Sequence, residues 1–250
     1  MTRTAILVDG GFYRKRASAI WGPKSPPERA RELVNYCNRH LREKHASEKH
    51  HLYRILYYDC PPVSKQVYHP LLKKSVDLGR SEIFSWTNEF FGHLKEKRKV
   101  ALRMGTLGEG QIHYTLREDA VKRIFSGAKR AGEIDERDFR LSVRQKGVDM
   151  KIGVDIASIV LKKLADQIVL ISGDSDFVPV AKLARREGLD FILDPMRAAI
   201  SPALFEHIDG LRSFARAGAK PENANRLPPG ANPERTNPER TESGAGLTQI

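Results

Sequence analysis

Short β-branched apolar runs alternate along this chain with segments whose apolar residues recur at helical spacing. "TAILVDG" (4–10) and "LYRILYYD" (52–59) read as strands, each ending in an aspartate at a turn. "FRLSVRQKG" (139–147) reads as a half-exposed strand whose charges alternate with Leu141 and Val143. "QIVLIS" (167–172) and "LDFILD" (189–194) are short and apolar enough for strands covered on both faces. Between these two, "SDFVPVAKLARREG" sets Phe177, Val180, Leu183 and Ala184 at helical spacing, with Gly188 as the stop. Ahead of them, "GVDIASIVLKKLAD" puts Ile156, Ile159, Val160 and Leu164 on one helix face with lysines opposite. This alternation predicts the α/β class, a mainly parallel sheet with helices on both faces. Ligands of such sheets bind beyond the carboxyl ends of the strands.

Composition divides the chain. From Gly218 onward it is Pro, Asn, Gly, Glu, Arg and Thr with hardly an apolar side chain, and "NPERT" occurs twice in succession. Such a segment buries too little surface to offset its ordering entropy, so residues 1–217 are expected to form the folded domain and 218–250 a disordered tail. The tail's four basic residues balance its four glutamates, which leaves the whole net charge of +12 in the folded part. That charge favours a polyanionic partner, nucleic acid or an anionic membrane. No apolar run approaches the length of a bilayer span and no secretory start is recognisable, so a cytoplasmic protein with no membrane partner is expected. Cys37 and Cys60 lack metal-pair or redox-pair spacing and are expected to be free thiols. The histidine-rich "EKHASEKHH" (43–51) lacks a paired ligand set and reads as a helix end and loop.

The strand ends carry the candidate chemistry. Asp9 follows the first strand, Asp174 and Asp176 follow "IVLIS", and Asp149 and Asp155 lie at and just inside the start of the helix feeding that strand. If the two strands are neighbours, these carboxylates meet at one sheet edge. Uncompensated carboxylates repel one another unless a cation joins them. Mg²⁺ or Mn²⁺, which take oxygen ligands and retain waters, suit such a set, and a metal-dependent phosphodiesterase centre is the chemistry that follows. Taken singly, each aspartate also suits a turn or an N-cap: Asp149 for its own helix, Ser175 and Asp176 for the helix near Phe177. No phosphate loop of the GxxxxGK[ST] type is present, "MGTLGEG" lacks the context of a dinucleotide fingerprint, and no Ser or Cys stands in a nucleophile motif.

Three blocks carry a family resemblance: "ILVDGGF", "QKGVDMKIGVDIASIVLKKL" and "VLISGDSDFVPVAKLARREG". They resemble the signature blocks of the NYN domain family, in its LabA-like branch of the PIN-like nucleases, over about residues 3 to 196. The resemblance implies a PIN-like, Rossmann-like fold and a metal-dependent endoribonuclease. It makes Asp9, Asp155, Asp174 and Asp176 the catalytic acids, and Asp149 a further acidic position beside them in the metal set. One departure stands out: the family commonly reads Asp-Gly-x-Asn in the first block, where this chain has Asp9-Gly10-Gly11-Phe12. Phe12 stands either under the first helix or against a base. Gly10 and Gly11 are expected to allow close backbone approach.

Basic residues near these acids supply candidate phosphate contacts: Arg14 on the opening helix, then Arg144 and Lys146 ahead of Asp149. Ser172 and Ser175, which bracket Asp174, complete the substrate-binding candidates. The run Lys95, Lys97, Arg98, Lys99, Arg103 suits a solvated face, and Tyr13, Trp86, Phe90 and Phe91 suit a core as well as stacking. Three readings stay open at this point. One is an endonuclease, with RNA preferred by resemblance; another is a nucleic-acid-binding or regulatory module holding metal without turnover; the third is a structural protein whose aspartates are caps. The stretch "ISPALFEHIDGLRSF" (200–214) packs either on the core or on another subunit of a homo-oligomer.

Overall fold

A computed structural model describes residues 1–42, 49–108, 112–143 and 145–215. The tail expected from 218 lies outside the described residues, as do Arg144 and most of the 43–51 segment. The chain begins with β1 (Thr2–Asp9), α1 (Gly10–Trp21), α2 (Pro26–Arg39), β2 (His50–Asp59), β3 (Gln66–His69), β4 (Lys74–Asp77) and α3 (Glu82–Lys95). Next come β5 (Val100–Met104), β6 (Thr106–Leu107), β7 (His113–Leu116), α4 (Glu118–Phe125), β8 (Phe139–Ser142) and β9 (Gln145–Lys146). It continues with α5 (Val148–Leu161), β10 (Gln167–Ile171), α6 (Val178–Arg186), β11 (Asp190–Asp194), α7 (Pro202–Glu206) and β12 (Gly210–Leu211).

Six strands form one sheet in the order β12, β11, β10, β1, β2, β5, and every neighbouring pair is parallel. Strand periodicity explains the two cores, since successive side chains point to opposite faces. Ala5, Leu7, Tyr58, Leu170 and Leu193 turn to the face covered by α5, α6 and α7. Ile6, Val8, Tyr57, Ile171 and Ile192 turn to the face covered by α1, α2 and α3. Burying each such side chain is worth about 1.5–3 kcal/mol, so the two central strands, β1 and β10, hold the site's frame rigidly. The helix ends follow local chemistry. Ser81 Oγ accepts from Phe84 N at 3.2 Å to start α3, and Gly188, with φ of 81°, ends α6 where the sequence predicts a stop.

One expectation changes here. "FRLSVRQKG" is not one strand: Phe139–Ser142 pairs antiparallel with β7, and Gln145–Lys146 pairs antiparallel with β6. The main sheet ends instead at β5, which runs parallel to β2 with Ile55 opposite Val100. The antiparallel β7–β8 pair, whose strands α4 separates in the chain, builds a side arm with β3 and β4, in which the buried His69 ring lies 4.3 Å from the Tyr114 ring and 5.0 Å from that of Phe139. The open question about residues 200–214 also resolves: Leu204 and Ile208 are buried in the chain's own core and Gly210–Leu211 add the sixth strand.

Candidate metal and nucleic-acid site

Parallel register brings the acids together. Val8 pairs with Ile171, so Asp9 and Ser172 leave adjacent strands side by side at the carboxyl edge. Asp9 caps α1, its Oδ1 accepting from Phe12 N at 3.1 Å, and its Oδ2 accepts from the Ser172 hydroxyl at 3.2 Å. Asp174 N donates to the same hydroxyl at 3.4 Å, and Asp174 Oδ1 accepts from Asp176 N at 3.0 Å. Ser172 is fully buried and therefore spends its hydroxyl on joining Asp9 to the Asp174 turn. Asp174, Ser175 and Asp176 are exposed. The capping alternatives fall differently from expectation. Gly147, with φ of 78°, is the N-cap of α5, so Asp149 lies free in its first turn. The cap formed by Asp174 belongs to the short 3-10 turn Ser175–Phe177 that leads into α6.

Charge accumulates at this edge. Burial raises the Asp9 carboxyl above its ordinary range, hydrogen bonds from Phe12 N and Ser172 oppose the rise, and the fields of Asp149 and Asp59 add to it. Asp149 is likewise raised, by desolvation first and then by Asp174 and Asp176. Asp9 thus feels Asp149, and Asp149 in turn feels Asp174 and Asp176. Asp59, at the end of β2, is the member that the sequence reading passed over. Its buried carboxylate takes Arg14 Nη2 at 3.0 Å, Tyr57 OH at 3.0 Å and Cys60 N at 2.8 Å. Its only sequence signal was an aspartate closing a strand, since the pairing with Arg14 is long-range.

Asp155 has other partners. Its Oδ2 accepts from Tyr58 OH at 2.9 Å and Arg103 Nε at 3.0 Å, which ties α5 to β2 and β5. A helix turns 100° per residue, so positions 149 and 155 point about 120° apart. Among the described residues no three His, Cys, Asp or Glu side chains form a ready ligand group. The donor chemistry still fits a hard divalent ion. The candidate donors Asp9, Asp149, Asp174 and Asp176 are all carboxylates, three of the four are exposed enough to leave room for water, and Mg²⁺ commonly binds through one or two carboxylates plus waters.

The sequence model of the NYN domain family matches residues 89–206, from α3 to the end of α7. This segment is an NYN domain. The family is a PIN-like nuclease domain, so a nucleic-acid substrate class comes with it. The match contains Asp149, Asp155, Asp174 and Asp176, while Asp9 joins the NYN segment through the sheet. No curated protein matches the sequence. The crystal structure of a protein of unknown function from Vibrio parahaemolyticus overlays with a TM-score of 0.41 and 14% identity, over 85% of this chain and 93% of that one. That likeness is too loose to carry function. No helix among the described residues is long and apolar enough to cross a membrane.

Around the NYN acids the remaining candidates take distinct places. Phe12 packs against Gly173, where a β-carbon would stand 3.0 Å from its ring, so the aromatic in place of the usual Asn closes the gap between the Asp9 and Asp174 turns. Gly10 is required by close approach: a β-carbon there would lie 2.5 Å from the Tyr57 ring and 2.6 Å from the Asp59 carboxylate. Gly11 meets nothing closer than Asp9 Oδ1 at 3.6 Å. Arg14 is anchored on Asp59 with 27% of its side chain exposed, and its Nε is buried without a hydrogen-bond partner. Lys146 is exposed on β9, ahead of Gly147 and Asp149. Tyr13, Phe90 and Phe91 are core residues, and Trp86 packs partly buried against them, its Nε1 donating to Lys24 O at 3.0 Å. Cys37 and Cys60 are both buried free thiols.

Proposed function

We propose that this chain is a Mg²⁺- or Mn²⁺-dependent endoribonuclease of the LabA-like branch, hydrolysing RNA phosphodiester bonds at the carboxyl edge of its sheet. The observation that supports the reading is the meeting of Asp9 with the Asp174 turn on the Ser172 hydroxyl at the carboxyl edge, with Asp149 near enough to feel Asp174 and Asp176, in a domain family of PIN-like nucleases. A bound divalent ion supplies charge stabilisation at the phosphoryl oxygen and acidifies a water near neutral pH. The four aspartates, Asp9, Asp149, Asp174 and Asp176, would hold that ion. Ser172 fixes Asp9 against the Asp174 turn. Asp155 holds α5, and with it Asp149, through Tyr58 and Arg103. Lys146 and the Arg14 guanidinium face the phosphates, with Ser175 beside Asp174; Arg144 belongs to this group by its position in the sequence. The preference for RNA rests on the family. Buried free thiols fit a reducing cytoplasm.

A second reading, a metal-holding binder without turnover, is favoured by Phe12, whose ring fills the place of a polar side chain beside both turns. Labelled single-stranded and structured RNA, with DNA in parallel, separates the two when incubated with Mn²⁺ or EDTA. The nuclease reading expects Mn²⁺-dependent products that Asp174→Asn reduces by more than about a hundredfold, with unchanged circular dichroism. Equal cleavage by the variant contradicts it, and retention of RNA without products supports the binder.

A further inference from the structure

We propose that the cleft between the side arm and α3 is a nucleobase pocket that receives one unstacked base of a single strand. Its position relative to the cleaved phosphate rests on the nuclease reading above; its occupancy by a base does not. The cleft encloses 350 Å³, at the small end of the 300–1,000 Å³ typical of ligand sites. Pro61, Ile83, Phe84, Tyr114 and Leu141 give it apolar and aromatic walls, and Arg14 supplies a cationic donor at one side. An apolar slot with a few fixed polar groups is the form that recognises a flat heteroaromatic ring, since every base offers a π-face whatever its sequence.

Location narrows the occupant. One wall begins at Cys60 and Pro61, directly after Asp59, and Asp9 pairs with Tyr58 in the adjoining strand. Another wall includes Gln145, from which the chain runs through Lys146 and Gly147 into Asp149. The cleft therefore opens beside the carboxylate edge, where a strand crossing the acids would pass. Arg14 Nη2 is held on Asp59 while 27% of the side chain remains exposed and lines the cleft, which sets a planar donor at fixed orientation beside it. Its buried, unpartnered Nε is a cost that a merely structural arginine would avoid. Ile83 stands 75% exposed at the rim, an apolar side chain that the described residues leave open to solvent. The net charge of +12 selects a polyanionic strand over an apolar peptide. A second cleft of 330 Å³ shares Arg14, Ile83 and Thr87 and extends the path past the guanidinium. Bases already unstacked enter such a pocket most readily, so single strands should bind better than duplexes.

The test uses the full chain in EDTA, so that cleavage plays no part. Single-stranded oligonucleotides carry 2-aminopurine at successive positions, and fluorescence is read on titration. One position should respond strongly on binding, and Ile83→Glu should weaken affinity about tenfold and abolish that response. Leu161→Glu, the same charge change at a distant residue that is 66% exposed, should do neither. Phe84→Ala should reproduce the loss of response without a change of charge. Binding in which Ile83→Glu and Leu161→Glu behave alike overturns the pocket, whether or not the chain cleaves RNA. A dimer that Ile83→Glu dissociates in sedimentation, with no 2-aminopurine response, also overturns it by giving the cleft to a second copy. A base-specific response from a chain that never cleaves would uphold the pocket and defeat only the nuclease reading.

Discussion

Gly10 leaves no room for a methyl group, because Tyr57 and Asp59 already occupy the space a β-carbon would need. Gly10→Ala should therefore cost about 1–3 kcal/mol and loosen the Arg14–Asp59 pair, whereas Gly11→Ala should be neutral or stabilising by up to about 1 kcal/mol. Urea melts of the two variants check this; equal effects would contradict it. The pair of glycines was legible as a close-approach signal, but the sequence could not assign the need to Gly10. The contact that decides it comes from β2, far along the chain. Asp9, Asp174 and Asp176 were readable because each follows an apolar strand. Asp59 follows one too, yet only the fold discloses that it shares an edge with Asp9 and holds Arg14.

At the scale of elements, α5 explains why two neighbouring acids of one sequence block do different work. Asp149 lies in its first turn and feels Asp174 and Asp176, while Asp155 is engaged by Tyr58 and Arg103. Tyr58→Phe should lower stability by about 1 kcal/mol, the usual worth of one hydrogen bond. Asp155→Asn should lower stability by a similar amount yet leave Mn²⁺ affinity less changed than Asp174→Asn does. Thermal melts and calorimetric Mn²⁺ titration test both, and loss of Mn²⁺ binding in Asp155→Asn would make it a ligand instead.

The side arm has an acid-sensitive clasp. Hydrogen bonding from Lys129 holds Asp138 below its ordinary carboxyl range of about 3.8, aided by Asp135 N and Arg123. A depressed folded value stabilises fully above the unfolded one, and that contribution disappears as pH falls through the folded value. Amide exchange of β7 and β8 should accelerate below about pH 4 before that of β1 and β10; uniform protection would contradict this. The arm itself was illegible because its strands are only four residues long and pair only within the arm. The strand β5 was hidden by the lysine run before it and by Arg103 within it.

Across the whole molecule, the sheet joins what the sequence keeps apart. The NYN match begins at residue 89, and the β1–β10 pairing brings Asp9 to its acids. Strand alternation and helical spacing were enough to foresee a parallel sheet with helices on both faces, because both central strands are continuous apolar runs. The packing of Phe12 on Gly173 and the place of Arg14 depend on tertiary contacts with no local signature. The central claim is that Asp9, Asp149, Asp174 and Asp176 hold a divalent cation. Anomalous diffraction at the manganese edge from crystals soaked in Mn²⁺ tests it most directly. The account predicts a peak among these four carboxylates that disappears in Asp174→Asn; a peak only beside Asp155, or none at the sheet edge, would contradict it.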